Sequence, residues 1–174
     1  MIIGVFGISG VGKSTLVKEF LSTHKNVDGF SASHLIRLYG GVIDHQKITI
    51  SLAEANQIIL LNAINRYREK NTKPLIIEMH NIIETNDGIL NIDSIFSSLI
   101  IDAACFIFKE PSIISEQRDS DSEKKRNPAS IASIELLQEK SLHLFRGRFS
   151  QINNLVIDNE HQKSFNKFME LALN

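Results

Sequence analysis

With 174 residues, 43% of them hydrophobic and 22% charged, the chain has the size and composition of one soluble globular domain whose core needs no staples. Its formal net charge of −1 gives no electrostatic case for nucleic acid as a stable partner. The only cysteine, Cys105, lies in an apolar run, where it reads as a small buried hydrophobe, and a lone thiol fits a reducing compartment.

The chain starts on a strand pattern. Ile2–Phe6 is a short, continuous apolar run, as in a central parallel strand. Gly7-Ile-Ser-Gly-Val-Gly-Lys-Ser14 follows and fits the phosphate-loop pattern Gly-x4-Gly-Lys-Ser/Thr. Ser14–His24 then reads as a helix with Leu16, Val17, Phe20 and Leu21 on one face. Strand, loop and amphipathic helix in this order are the context the motif requires. Gly7, Gly10 and Gly12 free the backbone to turn its N–H groups toward an anion. The segment Gly10, Val11, Gly12, Lys13, Ser14 and Thr15 is therefore expected to cradle ATP. Lys13 brings a mobile positive charge to the β and γ phosphates. Ser14 offers a hydroxyl to Mg²⁺, and the positive end of the helix dipole points at the same anion.

Phe30–Arg37 reads as a strand end turning into a short helix, closed by Gly40-Gly41. Ser51–Lys70 is the longest helical pattern, with Ser51 and Glu54 as a capping box and an apolar face of Ala55, Ile58, Ile59, Leu61 and Ile64. Pro74 interrupts before a second core strand, Leu75–Met79. Asn86-Asp-Gly88 is a turn signal, followed by irregular chain to about Ser98. Ala103–Phe108 is a third core strand. Its apolar surroundings form the longest such stretch, but Asp102 interrupts it and it is too short to span a membrane. Pro111–Gln117 is a short helix, and the polar stretch from Arg118 to Pro128 is a loop, either solvated or a lid. A long helix from Ala129 to about Phe149, a strand at Leu155–Ile157 and a helix at His161–Leu173 complete the chain. No basic region precedes an apolar stretch at the N-terminus, so no signal peptide is expected and a cytoplasmic location is. No repeat or linker marks a second domain. The alternation predicts a three-layer α/β phosphate-loop fold over residues 1–174, about five parallel strands with helices on both faces.

A phosphate loop identifies a nucleotide site; the reaction depends on what faces the γ phosphate. Phosphoryl transfer needs charge neutralisation and alignment, which makes arginines the first candidates. Arg37 ends the second strand–helix unit, and Arg118 and Arg126 flank the polar loop. Glu78 and His80 lie at the carboxyl end of a core strand, the edge where ligands sit in open parallel sheets. There Glu78 can hold Mg²⁺ through water, or else cap a neighbouring helix. The remaining histidines show no metal-ligand spacing, so no zinc site is expected.

The order of these motifs resembles that of P-loop nucleoside monophosphate kinases, most closely the short archaeal-type adenylate kinases and their nuclear eukaryotic relatives. The phosphate loop matches fully. Phe30-Ser-Ala-Ser-His-Leu-Ile-Arg37 is similar to the acceptor-side segment, here spanning residues 28–70, and implies that Arg37 holds the monophosphate. Ile77-Glu-Met-His80 resembles the family's acid-x-His strand end, implying roles for Glu78 at the metal and His80 at the substrate. Phe108-Lys-Glu-Pro111 through Arg118 and Arg126 resembles the strand, helix and arginine-bearing lid, placed at residues 118–128. Ser33-His34 stands where Gly-Asp is usual. The resemblance implies transfer of the γ-phosphate of ATP to a nucleoside monophosphate, with Mg²⁺ as cofactor and small nucleotides as the partners.

One chemical point bears on the acceptor. A monophosphate already carries an ionised oxygen, whereas an alcohol must lose a proton to a nearby base. No acid lies between Phe30 and Gly41, which favours a phosphate acceptor. The alternatives are a small-metabolite kinase that recruits Asp44 or Asp87 as base, and a non-kinase module that uses ATP to switch a partner.

Overall fold

The computed structural model describes residues 1–44, 46–122, 128–158 and 161–174. In chain order its elements are β1 (Ile2–Phe6), α1 (Lys13–Thr23), β2 (Asp28–Ser31), α2 (Ala32–Leu38), α3 (Ile50–Lys70), β3 (Leu75–Glu78), β4 (Ile82–Thr85), β5 (Gly88–Asn91), β6 (Ala103–Ile107), α4 (Pro111–Ser120), α5 (Ile131–Arg148), β7 (Asn153–Ile157) and α6 (His161–Leu173). Five strands form one sheet in the order β2-β3-β1-β6-β7, and every pair in it is parallel. The strands β1, β3 and β6 have apolar residues on both faces because helices cover both sides.

The two-residue period of the strands sorts the core. Ile3, Val5, Ala103, Cys105 and Ile107 point to one face and pack with α1, α6 and the first turns of α5. Ile2, Phe6, Leu75, Ile77, Ala104 and Phe106 point to the other and pack with α2, α3 and the end of α5. On that second face Phe6, Phe106, Phe145 and Phe149 form an aromatic cluster with ring centroids 4.9–5.6 Å apart, tilted rather than stacked. Cys105 is fully buried, and burial pushes its thiol pKa far up, so it acts as the expected small hydrophobe. Asp102 ends the preceding loop with its carboxylate accepting from the Ile2 backbone N–H at 2.6 Å, tying the start of β1 to β6.

Four local expectations change. Helix α3 begins one residue early and is capped by Thr49, whose hydroxyl accepts from the Leu52 N–H, rather than by Ser51. Its buried stripe is Ala53, Asn56, Gln57, Leu60, Ala63 and Ile64, rotated away from the expected face, and Ile58 stands 55% exposed. Two polar residues in that stripe disguised it. The stretch expected to be irregular after the turn starts with a strand: β5 pairs antiparallel with β4 in a hairpin closed by Asn86-Asp87, with Thr85 opposite Gly88, and only the chain from Ile92 to Asp102 is then without helix or strand. The fourth change concerns α4, which runs on to Ser120 and carries Arg118 in its last turn instead of in a loop.

Candidate functional site

The carboxyl ends of β1, β3 and β6 open on one side of the sheet, and the loops leaving them meet there. Between β1 and α1 the chain turns through Gly7, Gly10 and Gly12, all at positive φ. At Gly10 a side chain is also excluded by space, because a Cβ would stand 2.7 Å from Cγ of Arg118.

Lys13 is 7% exposed and its Nζ donates to the carbonyls of Gly7 (2.7 Å) and Ile8 (3.0 Å). The Gly7 carbonyl takes a second donor, Nδ1 of His80, at 2.9 Å. A carbonyl only accepts, so Nδ1 carries the proton. His80 thus braces the loop from the end of β3. Also from β3, Glu78 accepts a hydrogen bond from the Ser14 hydroxyl at 2.5 Å. A hydroxyl and a carboxylate oxygen side by side are hard donors suited to Mg²⁺. Among the described residues no cluster of three His, Cys, Asp or Glu side chains can hold a metal alone, so these two groups fit a Mg²⁺ ion that takes its remaining ligands from phosphate and water.

Arg118 reaches the loop from α4. Its side chain is 7% exposed, its Nε donates to the Ser9 carbonyl at 2.9 Å, and its two terminal nitrogens grip the Glu84 carboxylate at 2.9 and 3.3 Å. The fork of the guanidinium therefore joins the phosphate loop to hairpin strand β4. Next to it, the Gln117 amide donates to the Gly10 carbonyl at 2.7 Å and accepts from Lys109 Nζ at 3.2 Å. Burial lowers the pKa of Lys109. Its Nζ lies 3.4 Å from where a Cβ on Gly12 would be, so a second lysine flanks the loop.

Lys13, Ser14, Glu78, His80, Glu84, Gln117 and Arg118 line a cavity of about 590 Å³, with Lys109 behind the loop outside it. The same cavity is lined by Ile36 of α2, Ile43, Ile48 and Ile82 of β4, and by polar side chains that include Ser31, Ser33, Asn56, Gln57, Thr85 and Asn86. Asn56, beside Gln57, donates Nδ2 to the Val42 carbonyl at 2.8 Å and ties the segment after α2 to α3.

The structure gathers Gly10, Gly12, Lys13, Ser14, Thr15, Glu78, His80 and Arg118 around this cavity. Val11 is buried in the core beneath the loop. Arg37 is not gathered: it is exposed in the last turn of α2 and does not line the cavity. Arg126 lies outside the described residues, as does the middle of the lid-like stretch, residues 123–127. Asp44 and Asp87 also stand away from the cavity lining, and their carboxylates accept from the backbone N–H groups of Gln46 and Ile50, each at 3.0 Å. Three residues at the site escaped the sequence reading. Lys109 sits just beyond β6, and the strand-end rule that singled out Glu78 applies to it equally. Glu84 and Gln117 carry no local signal; only the hairpin and the longer α4 bring them to the loop.

A family model described as an AAA domain matches residues 6–135. No curated protein matches the sequence. Among solved structures the fold is similar to deoxyadenosine kinase from M. mycoides with the products dCMP and dCDP bound (16% identity, 100% of this chain and 98% of that one, TM-score 0.60). It is also similar to shikimate kinase from Acinetobacter baumannii in complex with shikimate (12% identity, 99% and 92% covered, TM-score 0.63). A third neighbour is a gluconokinase from Sinorhizobium meliloti 1021 (16% identity, 98% and 90% covered, TM-score 0.56). At these identities the likeness is one of fold, that of the P-loop kinases.

Proposed function

The chain belongs to the AAA domain family, and from that premise we propose that it is a phosphotransferase moving the γ-phosphate of ATP to a nucleoside monophosphate. The observation that carries this reading is the cavity of about 590 Å³, whose lining joins a phosphate cradle with Lys13 and Arg118 to the apolar side chains Ile36, Ile43, Ile48 and Ile82. The loop amides and Lys13 hold the donor's β and γ phosphates, and His80 keeps the loop in shape. Ser14 and Glu78 would hold Mg²⁺, which when bound offsets the charge on the phosphate oxygens.

An oxygen of the acceptor's phosphate attacks the γ phosphorus in line, the bond to the β–γ bridging oxygen breaks, and ADP leaves with the electron pair. No proton has to be removed. Among the described residues three acids line the cavity, Glu78, Glu84 and Asp121, and of these Glu78 already accepts from Ser14 and Glu84 is paired with Arg118. Arg118, which donates to the Ser9 carbonyl of the phosphate loop, is assigned to the charge that spreads onto the transferred oxygens, and Arg126 to the same task.

The test is ATP consumption against a panel of nucleoside monophosphates and small alcohols. ADP should form with a monophosphate and not with the alcohols. Turnover of an alcohol would shift the assignment to a small-metabolite kinase, and slow hydrolysis indifferent to every acceptor would point to an ATP-dependent switch.

A further inference from the structure

We propose that helix α5 sets the shape of the phosphate loop through two positioning residues, Gln138 and Ser141, each acting on a different part of the loop. The proposal rests on the ATP-binding part of the reading above. The described residues bury few polar side chains, and three of these, Asn81, Gln138 and Ser141, are 0–1% exposed. Taking a polar side chain into a core costs free energy unless its hydrogen bonds are met. Here they are met, just beyond the two strand ends from which side chains reach the loop.

Gln138 spends both ends of its carboxamide on one residue. Its Oε1 accepts from the Lys109 N–H at 3.2 Å, and its Nε2 donates to the Lys109 carbonyl at 2.8 Å. Lys109 stands just past the end of β6, so this bracket fixes the chain where strand pairing stops. From there Lys109 Nζ donates to Gln117, whose amide donates to the Gly10 carbonyl at 2.7 Å. Ser141 follows three residues later on the same helix face. Its hydroxyl donates to Asn81 Oδ1 at 2.5 Å, and Asn81 Nδ2 donates to the Ser141 carbonyl at 2.6 Å. Asn81 directly follows His80, whose Nδ1 donates to the Gly7 carbonyl. Two routes thus leave one face of α5. One runs through Lys109 and Gln117 to Gly10, the other through Asn81 and His80 to Gly7. Both end on glycines at positive φ, whose backbone is free to turn in other ways, so the geometry that aims N–H groups at phosphate has to be imposed by neighbours.

The experiment measures ATP·Mg²⁺ affinity of the whole protein by calorimetry, at a temperature where circular dichroism shows each variant folded, with Tm alongside. Ser141→Ala removes one hydroxyl and leaves Asn81 its bond to the main chain; affinity should fall by about threefold or more. Gln138→Met cuts the other route, with a loss of about 10-fold. The deciding readout is a pair of double-mutant cycles. In a His80→Ala background the Ser141→Ala loss should shrink below about twofold, and in a Gln117→Met background the Gln138→Met loss should do the same, because each route is already cut. Residues that only hold the core together would lower Tm and cost the same factor in every background, or none. Unchanged affinity in both single variants, or full losses in the cut backgrounds, would overturn the proposal. Should Gln138→Met not fold, the Ser141 and His80 cycle decides alone. ATP binding without transfer removes the kinase reading and leaves this proposal standing, whereas a native protein that binds no ATP·Mg²⁺ overturns both.

Discussion

At the donor end of the cavity, main-chain carbonyls of the phosphate loop are braced by side chains from three other elements: His80 beyond β3, and Gln117 and Arg118 on α4, with Lys13 folded back from α1. On the side proposed for the acceptor, aliphatic walls from Ile36, Ile43, Ile48 and Ile82 alternate with polar side chains such as Ser33, Asn56 and Gln57. The first end is specified by backbone geometry, which any triphosphate can use because it presents the same oxygens whatever base it carries. The second end is lined by side chains, and in the proposed reaction it is the end that would select the acceptor. Substitutions at the two ends should therefore separate cleanly in kinetics.

The largest effect is expected from Lys13→Ala, which removes the charge that reaches the donor. Catalytic efficiency toward ATP should fall by on the order of 10²–10³ while the unfolding midpoint holds. Unchanged ATP affinity by calorimetry would break the phosphate-loop assignment. Arg118→Ala comes next, with kcat lowered by on the order of 10² and ATP affinity nearly unchanged, since charge reaches the transferred oxygens only in the transition state. Arg118→Lys should rescue little, because an ammonium cannot bond Ser9 and both Glu84 oxygens at once. A solvated-loop arginine would instead leave turnover intact.

Glu84→Gln sharpens the comparison at the bridge between the two ends. It keeps the shape but removes the charge that orients Arg118, so a drop in kcat of about fivefold is expected with both KM values steady. A larger change in acceptor KM than in kcat would place Glu84 on the substrate instead. The back of the acceptor side offers a pH test. The Tyr67 hydroxyl on α3 donates to Asp28 of β2; burial, then this bond and the Asp28 charge, push the Tyr67 pKa up from 10.0 to about 12. The folded state thus keeps a proton that the unfolded state releases. The stabilisation is whole below pH 10 and is lost as pH rises toward 12. Urea midpoints should fall over that window in the native protein and fall less in Tyr67→Phe. The smallest effect belongs to Arg37→Ala: standing outside the cavity, it should alter either KM less than about twofold, and a selective rise in acceptor KM would restore the role its sequence position suggested.

The same division explains what could be read from sequence. The donor end is contiguous: residues 7–15 lie between a strand and a helix whose patterns are strong, so loop, lysine and hydroxyl were all legible. The parallel sheet was legible for the same reason, since β1, β3 and β6 are unbroken apolar runs. The acceptor end is assembled from distant pieces. The inward stripe of α3 contains Asn56 and Gln57, so a search for apolar periodicity selected Ile58 and Ala55, which face solvent. The hairpin β4–β5 was lost past its turn because Glu84 and Asn91 interrupt two short strands that no core covers on both faces. With it went Glu84.

The burial of Cys105 makes the molecule a convenient optical probe. Its thiol is fully enclosed and held protonated, so maleimide chemistry at neutral pH will pass it by. A cysteine installed at exposed Ser122, just beyond α4, would be the one reactive thiol in the chain and could carry a fluorophore without any background mutation. Its emission would report on the stretch between Arg118 and Arg126 in real time, during single turnovers, in the otherwise native protein.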